Sequence, residues 1–241
     1  FELVRRVGQP ITVYQGYKRD GYFQTLDDIN KVPKFAGSTV VPGDIRFVDR
    51  NGDGLIDDQD KFILGNPFPR YTFGFTYSIQ AKGFDLVLFV QGVGKRDAMV
   101  RGEQVEPFHF GYGGTMYTHQ TDYWTPSNPD AKYPRLAEAG SASNTNNYRT
   151  GSDLFLFDAS YVRLKNVQVG YTLPAKLTQR ARIQRARVYL TGQNLVTLTK
   201  MQFLDPEITE FDNNTNFNTG ANSARAYFLP VFLGFGLDLT F

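Results

Sequence analysis

Asp49-Arg50-Asn51-Gly52-Asp53-Gly54-Leu55-Ile56-Asp57-Asp58-Gln59-Asp60 is a dense run of oxygen donors. Its spacing is that of the twelve-residue calcium loop. Asp49, Asn51 and Asp53 stand at the first, third and fifth positions. Gly54 is sixth, where the chain turns sharply. Leu55 offers its carbonyl, Asp57 the ninth-position contact and Asp60 the twelfth. Calcium is a hard cation and takes oxygen ligands, so alternate residues converge only where the chain wraps round the ion. Asp60 replaces the usual Glu, and its shorter side chain closes the loop less readily. Phe47 and Val48 precede the run, and Pro67 and Pro69 follow it, so no flanking helices are expected. Two readings stand. One is a Ca2+ ion that stiffens a surface loop. The other is an Asx-rich turn closed by its own side-chain hydrogen bonds.

Other residues offer weaker chemistry. His109 and His119 lie among loop aromatics, without Cys or an acidic partner at ligand spacing. Gly111-Tyr112-Gly113-Gly114 lacks the lysine and the strand–turn–helix setting of a phosphate loop. Glu103 and Glu106 are too isolated to form a glycosidase pair. Tyr123-Trp124 could stack on a sugar ring or pack locally. Asn213-Asn214-Thr215 matches a glycosylation sequon, which decides nothing alone. No set of nucleophile, base and orienting group is present, so an enzyme is not expected.

The elements that position these residues read as strands. From Tyr71 to Ala81 the odd positions are Tyr71, Phe73, Phe75, Tyr77, Ile79 and Ala81; the even ones are Thr72, Gly74, Thr76, Ser78 and Gln80. Strict period two marks a strand. Lys82-Gly83 makes a short turn into a second strand, in which Phe84, Leu86, Leu88 and Val90 oppose Asp85, Val87, Phe89 and Gln91. Each is close to the 9–11 residues of a tilted bilayer-crossing strand. Val167, Val169, Tyr171 and Leu173 alternate with Gln168, Gly170 and Thr172. Val162 and Leu164 are out of phase with them, which predicts a bulge near Asn166. Pro174 to Gln184 predicts a connection with a helical turn, and Val188 and Leu190 resume a strand. Val231, Leu233, Phe235, Leu237, Leu239 and Phe241 then share a final apolar face.

Composition agrees with an all-β chain. Its 241 residues include 21 Phe, 14 Tyr, one Trp and 23 Gly. A hydrophobic share of 41% argues against disorder. No apolar run approaches the roughly 20 residues of a membrane-spanning helix. Zero Cys excludes disulfides, a thiolate zinc site and a cysteine nucleophile. Formal net charge is +2, which argues against a general nucleic-acid binder. Phe1 to Gln9 lacks a signal-peptide layout, so the chain is expected to be a piece of a longer protein. Connections alternate between short ones, at Lys82-Gly83 and Pro174 to Gln184, and long ones, at Gly94 to Ser160 and Thr197 to Ala226. Short turns at one end and long loops at the other describe a transmembrane barrel; a soluble β-sandwich, the other reading of the alternation, permits such asymmetry without requiring it.

Several stretches resemble one family. They are Gly8-Gln9-Pro10 with Tyr14-Gln15-Gly16-Tyr17 and Asp20-Gly21-Tyr22-Phe23, and Pro42-Gly43-Asp44-Ile45-Arg46-Phe47 running into the acidic loop. Leu64-Gly65-Asn66-Pro67 with the hairpin to Gly92 follows, then Ser160 to Pro174. Thr191-Gly192-Gln193-Asn194-Leu195 with Asp205-Pro206-Glu207 and the last strand complete the set. In this order they resemble the C-terminal portion of a SusC/RagA-type TonB-dependent outer-membrane transporter.

The resemblance implies a β-barrel of about 22 strands, to which this chain contributes five or six. It implies a plug and further strands elsewhere in the protein, with TonB acting through that missing part. It also implies a SusD-like surface lipoprotein, a glycan or peptide cargo, and the outer membrane of a Gram-negative bacterium. The whole of 1–241 is then barrel domain, and 49–60 is a calcium-loop-like extracellular segment. Leu237, Leu239 and Phe241 match the family's assembly signal, with the C-terminus periplasmic. The alternative is a secreted, calcium-stiffened β-rich carbohydrate-binding or adhesin module; a glycan-active enzyme ranks third.

Overall fold

The computed structural model describes residues 2–102, 104–108, 114–201, 203–207, 222–223 and 228–241. They fall into two compact units. No described helix is long and apolar enough to cross a membrane.

One unit, Pro69–Arg96, Ala159–Glu207 and Tyr227–Phe241, is built on a single antiparallel sheet. Its strands are β1 (Tyr71–Ala81), β2 (Phe84–Gly94), β3 (Tyr161–Thr172), β4 (Arg185–Thr199) and β5 (Phe232–Thr240), ordered β5-β4-β3-β2-β1. Each strand thus lies beside its neighbour in sequence. Lys82 and Gly83 both have positive φ, 50° and 86°, as the tight β1–β2 turn requires. The connection after β3 holds the expected helical turn, Ala175–Thr178.

Register decides which side chains share a face, because directly opposed residues point the same way. Ile79, Leu86, Val169, Leu190 and Phe235 form one row across all five strands. The next row is Ser78, Val87, Gln168, Thr191 and Gly234, on the other face. The alternation along each strand thus adds up to an apolar and a mainly polar surface.

The slip near Asn166 is a double irregularity. Leu164 opposes Val90 and Val196, while Asn166 opposes Phe89 and Gln193. Lys165 is therefore an extra residue against β2, and Asn194-Leu195 together oppose it on β4. Asn194 takes a left-handed φ of 53° there. Bulges of this kind bend and twist a barrel wall.

The other unit comprises Phe1–Phe68, Asp97–Asp158 and Ile208–Ala226. It is built from short strands. Val13–Gly16 lies between Glu2–Val4 and Phe62–Gly65. Asp97–Arg101 lies between Leu156–Asp158 and Asn222–Ser223. Arg19–Tyr22 pairs with Ile45–Phe47, and Lys34–Phe35 runs parallel to Leu55–Ile56. Tyr14, Phe23, Ile45, Met99, Tyr148 and Phe155 are buried at its core. Gly94 to Ser160, expected as a long loop, therefore carries strands and helical turns of its own. Its Gly/Ser/Asn run forms a turn of helix at Ala142–Asn144 and a π-helical turn at Thr145–Arg149.

Candidate functional site

The apolar face of the sheet is open. Phe235 is 72% exposed, and Phe75, Leu190, Leu198 and Leu233 are likewise uncovered. Leu237 and Leu239 lie on this face, and Phe241 follows β5, also exposed. A continuous aromatic and aliphatic surface over five strands is costly in water and suited to hydrocarbon. The secreted-module alternative requires this face to meet water.

The opposite face concentrates its charge in two places. Near the β1–β2 turn, Arg187 on β4 donates through Nε to Asp85 Oδ1 (2.9 Å) and through Nη2 to Asp85 Oδ2 (2.5 Å) on β2. Nη1 donates to Asp238 Oδ2 on β5 at 3.1 Å, and Nη2 also to Gln168 Oε1 at 3.0 Å. β3 runs between Arg187 and Asp85, and the pair meets over Gly170. A Cβ there would sit 2.5 Å from Arg187 Nη2 and 2.6 Å from Asp85 Oδ1. The missing side chain is what lets the ion pair cross the strand.

At the other end of the strands, Arg163 is almost completely buried. Its Nη2 donates to both Asp205 oxygens, at 2.8 and 2.9 Å, and its Nε to Thr197 Oγ1 at 2.8 Å. Its Nη1 donates to Glu207 Oε2. Glu207 also accepts from Lys165 Nζ at 2.7 Å and the Tyr161 hydroxyl at 2.8 Å. Burial alone would raise the Asp205 carboxyl. Amide bonds from Glu207 and Leu229, with Arg163, outweigh it and hold the group below the usual range.

The acidic loop is knit by Asx bonds. Asp49 accepts from the Gly52 and Gly54 amides, at 2.7 and 2.9 Å. Asn51 Oδ1 accepts from Asp53 N, Asp53 Oδ1 from Leu55 N, and Asp57 Oδ1 from Gln59 N. Asp60, fully buried, accepts from Arg50 N at 2.7 Å and Asp57 N at 2.8 Å, joining the two ends of the loop. Among the described residues, no three His, Cys, Asp or Glu side chains group as a metal-ligand set. Each carboxylate keeps acceptor capacity beyond these bonds.

Two side chains of the same unit were undervalued in the sequence. Asp44 is buried and accepts from Val41 N (2.9 Å), Ser143 Oγ (2.9 Å) and Asn147 Nδ2 (3.0 Å). Burial pushes its carboxyl up, and those three bonds only partly oppose it. Trp124 is buried against Gly43, where a Cβ would fall 2.3 Å from Cε3, and its Nε1 donates to Gln24 Oε1. The ring is therefore packing rather than a platform for a sugar. His119 Nε2 lies 2.6 Å from the Gln104 carbonyl, with Tyr117 stacked on the ring. Glu106 is buried against Arg101. His109, Glu103, Gly111, Tyr112, Gly113 and Asn213-Asn214-Thr215 lie outside the described residues. A groove of about 370 Å³ is lined by Arg19, Tyr22, Gln24, Lys132 and Asp153, with Arg19 and Asp153 paired at 2.8 Å.

Comparison with known proteins places this arrangement. No family model matches the chain. Two TonB-dependent receptors of Formosa agariphila are 31% and 32% identical to it, over 98% and 90% of its length. SusC of Bacteroides thetaiotaomicron, a TonB-dependent receptor, is 29% identical over 67% of it. The RagAB peptide importer in its open-open state superposes with a TM-score of 0.57 at 21% identity, over 83% of the chain. The chain belongs to the SusC/RagA-type TonB-dependent receptors. It spans 23% and 20% of the length of the two Formosa relatives and 20% of the RagAB chain. The five-stranded sheet is accordingly a stretch of antiparallel barrel wall in this family. This part of the receptor is not an enzyme.

Proposed function

We propose that this SusC/RagA-type chain supplies wall strands and extracellular loops to an importer of the Gram-negative outer membrane. Import is powered through TonB by a plug elsewhere in the protein. A SusD-like surface lipoprotein delivers the cargo, a peptide or a glycan. The observation that carries this reading is the two-faced sheet: apolar rows outward, polar rows with buried ion networks inward. The family relatives support it. Residues 1–241 are then one part of the barrel domain. The C-terminus is periplasmic, and Leu237, Leu239 and Phe241 act as the assembly signal by presenting the last strand's edge.

Affinity purification of the full-length receptor from outer membranes tests this directly. The expected result is co-purification of one surface lipoprotein and TonB-dependent uptake of either a labelled peptide or a labelled oligosaccharide pool. A receptor that assembles but takes up neither pool refutes the importer reading.

The Asp49–Asp60 loop is proposed to face outward and to bind Ca2+ through its spaced oxygens. Calorimetry on the full-length receptor at millimolar calcium tests this; absence of saturable heat leaves the Asx turn alone.

A further inference from the structure

Arg163 lies in the row Gly74, Gln91, Arg163, Thr197, on the face opposite Val162 and Leu164. Whatever binds its guanidinium therefore lies on the lumen side of the wall. That partner is the segment after β4. Asp205 Oδ1 accepts from Glu207 N at 2.9 Å, and Asp205 Oδ2 accepts from Leu229 N at 3.0 Å. One carboxylate thus ties the chain leaving β4 to the chain approaching β5, while both its oxygens are held by Arg163. Arg96 Nη1 adds a bond to the Pro206 carbonyl at 3.0 Å.

We propose that Arg163, Asp205 and Glu207 form a latch that pins residues 203–207 against the lumen face of the wall. The proposal rests on the wall reading given above. The charge pattern favours pinning over cargo binding. Arg163 and Lys165 balance Asp205 and Glu207 pair by pair, so the four form a neutral set. A buried ion pair is weak evidence of net stability, and in some proteins such pairs fix one geometry instead; the burial of Arg163 and Asp205 fits that use. Arg163 and Asp205 are positioning residues: they act through the segment they hold.

The test uses the full-length receptor assembled in the outer membrane of intact cells. The present chain has no cysteine; any elsewhere in the receptor are replaced by serine. Phe203→Cys is then labelled from outside with a charged, membrane-impermeant maleimide. Asp205→Asn is expected to raise the labelling rate at least tenfold over the Asp205 parent. Spin labels at 203 and at Thr76, on the inner face of β1, are expected to give a narrow distance distribution in the parent and a broad one in the variant. If Asp205→Asn fails to assemble, Arg163→Met with Asp205→Met removes both buried charges and leaves neither unpaired; it is expected to label as fast. Equal labelling rates and equal distance distributions in parent and assembled variants overturn the latch. Uptake is measured separately. A receptor that does not import but labels as expected refutes the importer reading and leaves the latch standing.

Discussion

Arg187 grips Asp85 across an intervening strand, and the crossing point is Gly170. The two charges belong to β4 and β2, and the guanidinium reaches a second carboxylate, Asp238, on β5. With its bond to Gln168 on β3, one side chain joins four strands on the polar face.

Gly170→Ala should therefore disrupt the wall. The new Cβ would lie well inside contact distance of both charged groups. The atoms it meets are the ends of flexible side chains, so the substitution acts by parting Arg187 from Asp85. Gly94→Ala is the control, since its Cβ would make only ordinary contact with Tyr71, at 3.4 Å. Heat-modifiable mobility of the full-length receptor should fall for Gly170→Ala and stay unchanged for Gly94→Ala.

Neighbouring residues on β1 should respond oppositely to charge. Phe75→Lys puts an ammonium toward lipid, and Thr76→Lys puts one toward the lumen. The lipid-facing substitution should cost about 2–4 kcal/mol near the bilayer midplane, and the lumen-facing one much less. Phe235→Lys should behave like Phe75→Lys. Folding titrations into lipid vesicles measure the difference; equal costs would reverse the facing assignment.

Two carboxylates should give opposite pH dependence. The Asp44 carboxyl is raised in the folded state. Its stabilisation is full below the ordinary carboxylate pKa and is lost as pH rises through the raised value. The Asp205 carboxyl is lowered. Its stabilisation is present above the ordinary pKa and is lost as pH falls through the lowered value. Hydrogen exchange, corrected for the intrinsic rate, should show the Glu207 and Leu229 amides, both donors to Asp205, opening in acid. Those of Val41, Gly43, Asp44, Ile45 and 143–147 should stay protected there and loosen as pH rises.

The sheet was legible because period two survives in single strands. Alternation from Tyr71 to Ala81 and at the final strand marked both faces, and the phase slip at Leu164 marked the bulge. The matching irregularity at Asn194-Leu195 was hidden, because no phase slip was visible in the residues read around it. Nothing in the alternation singles out Arg187 or Arg163 from other polar strand residues. Their partners stand 102 and 42 residues away in sequence, and spacing arguments do not reach that far. The same holds for Asp44. Its resemblance-bearing motif was visible, but its bonds to Ser143 and Asn147 turned a low-complexity stretch into ordered structure. The calcium-like spacing was plain, yet the same residues close an Asx-bonded turn, so spacing alone does not separate the two readings.

The central claim is that one face of this sheet meets lipid and the other the lumen. A spin-label accessibility scan through Tyr71–Ala81 of the full-length receptor in bilayers tests it most directly. Odd positions should show high collision with oxygen and low collision with a water-soluble nickel chelate, and even positions the reverse, with period two throughout. Oxygen and nickel accessibility rising and falling together, or a scan without alternation, would contradict the account.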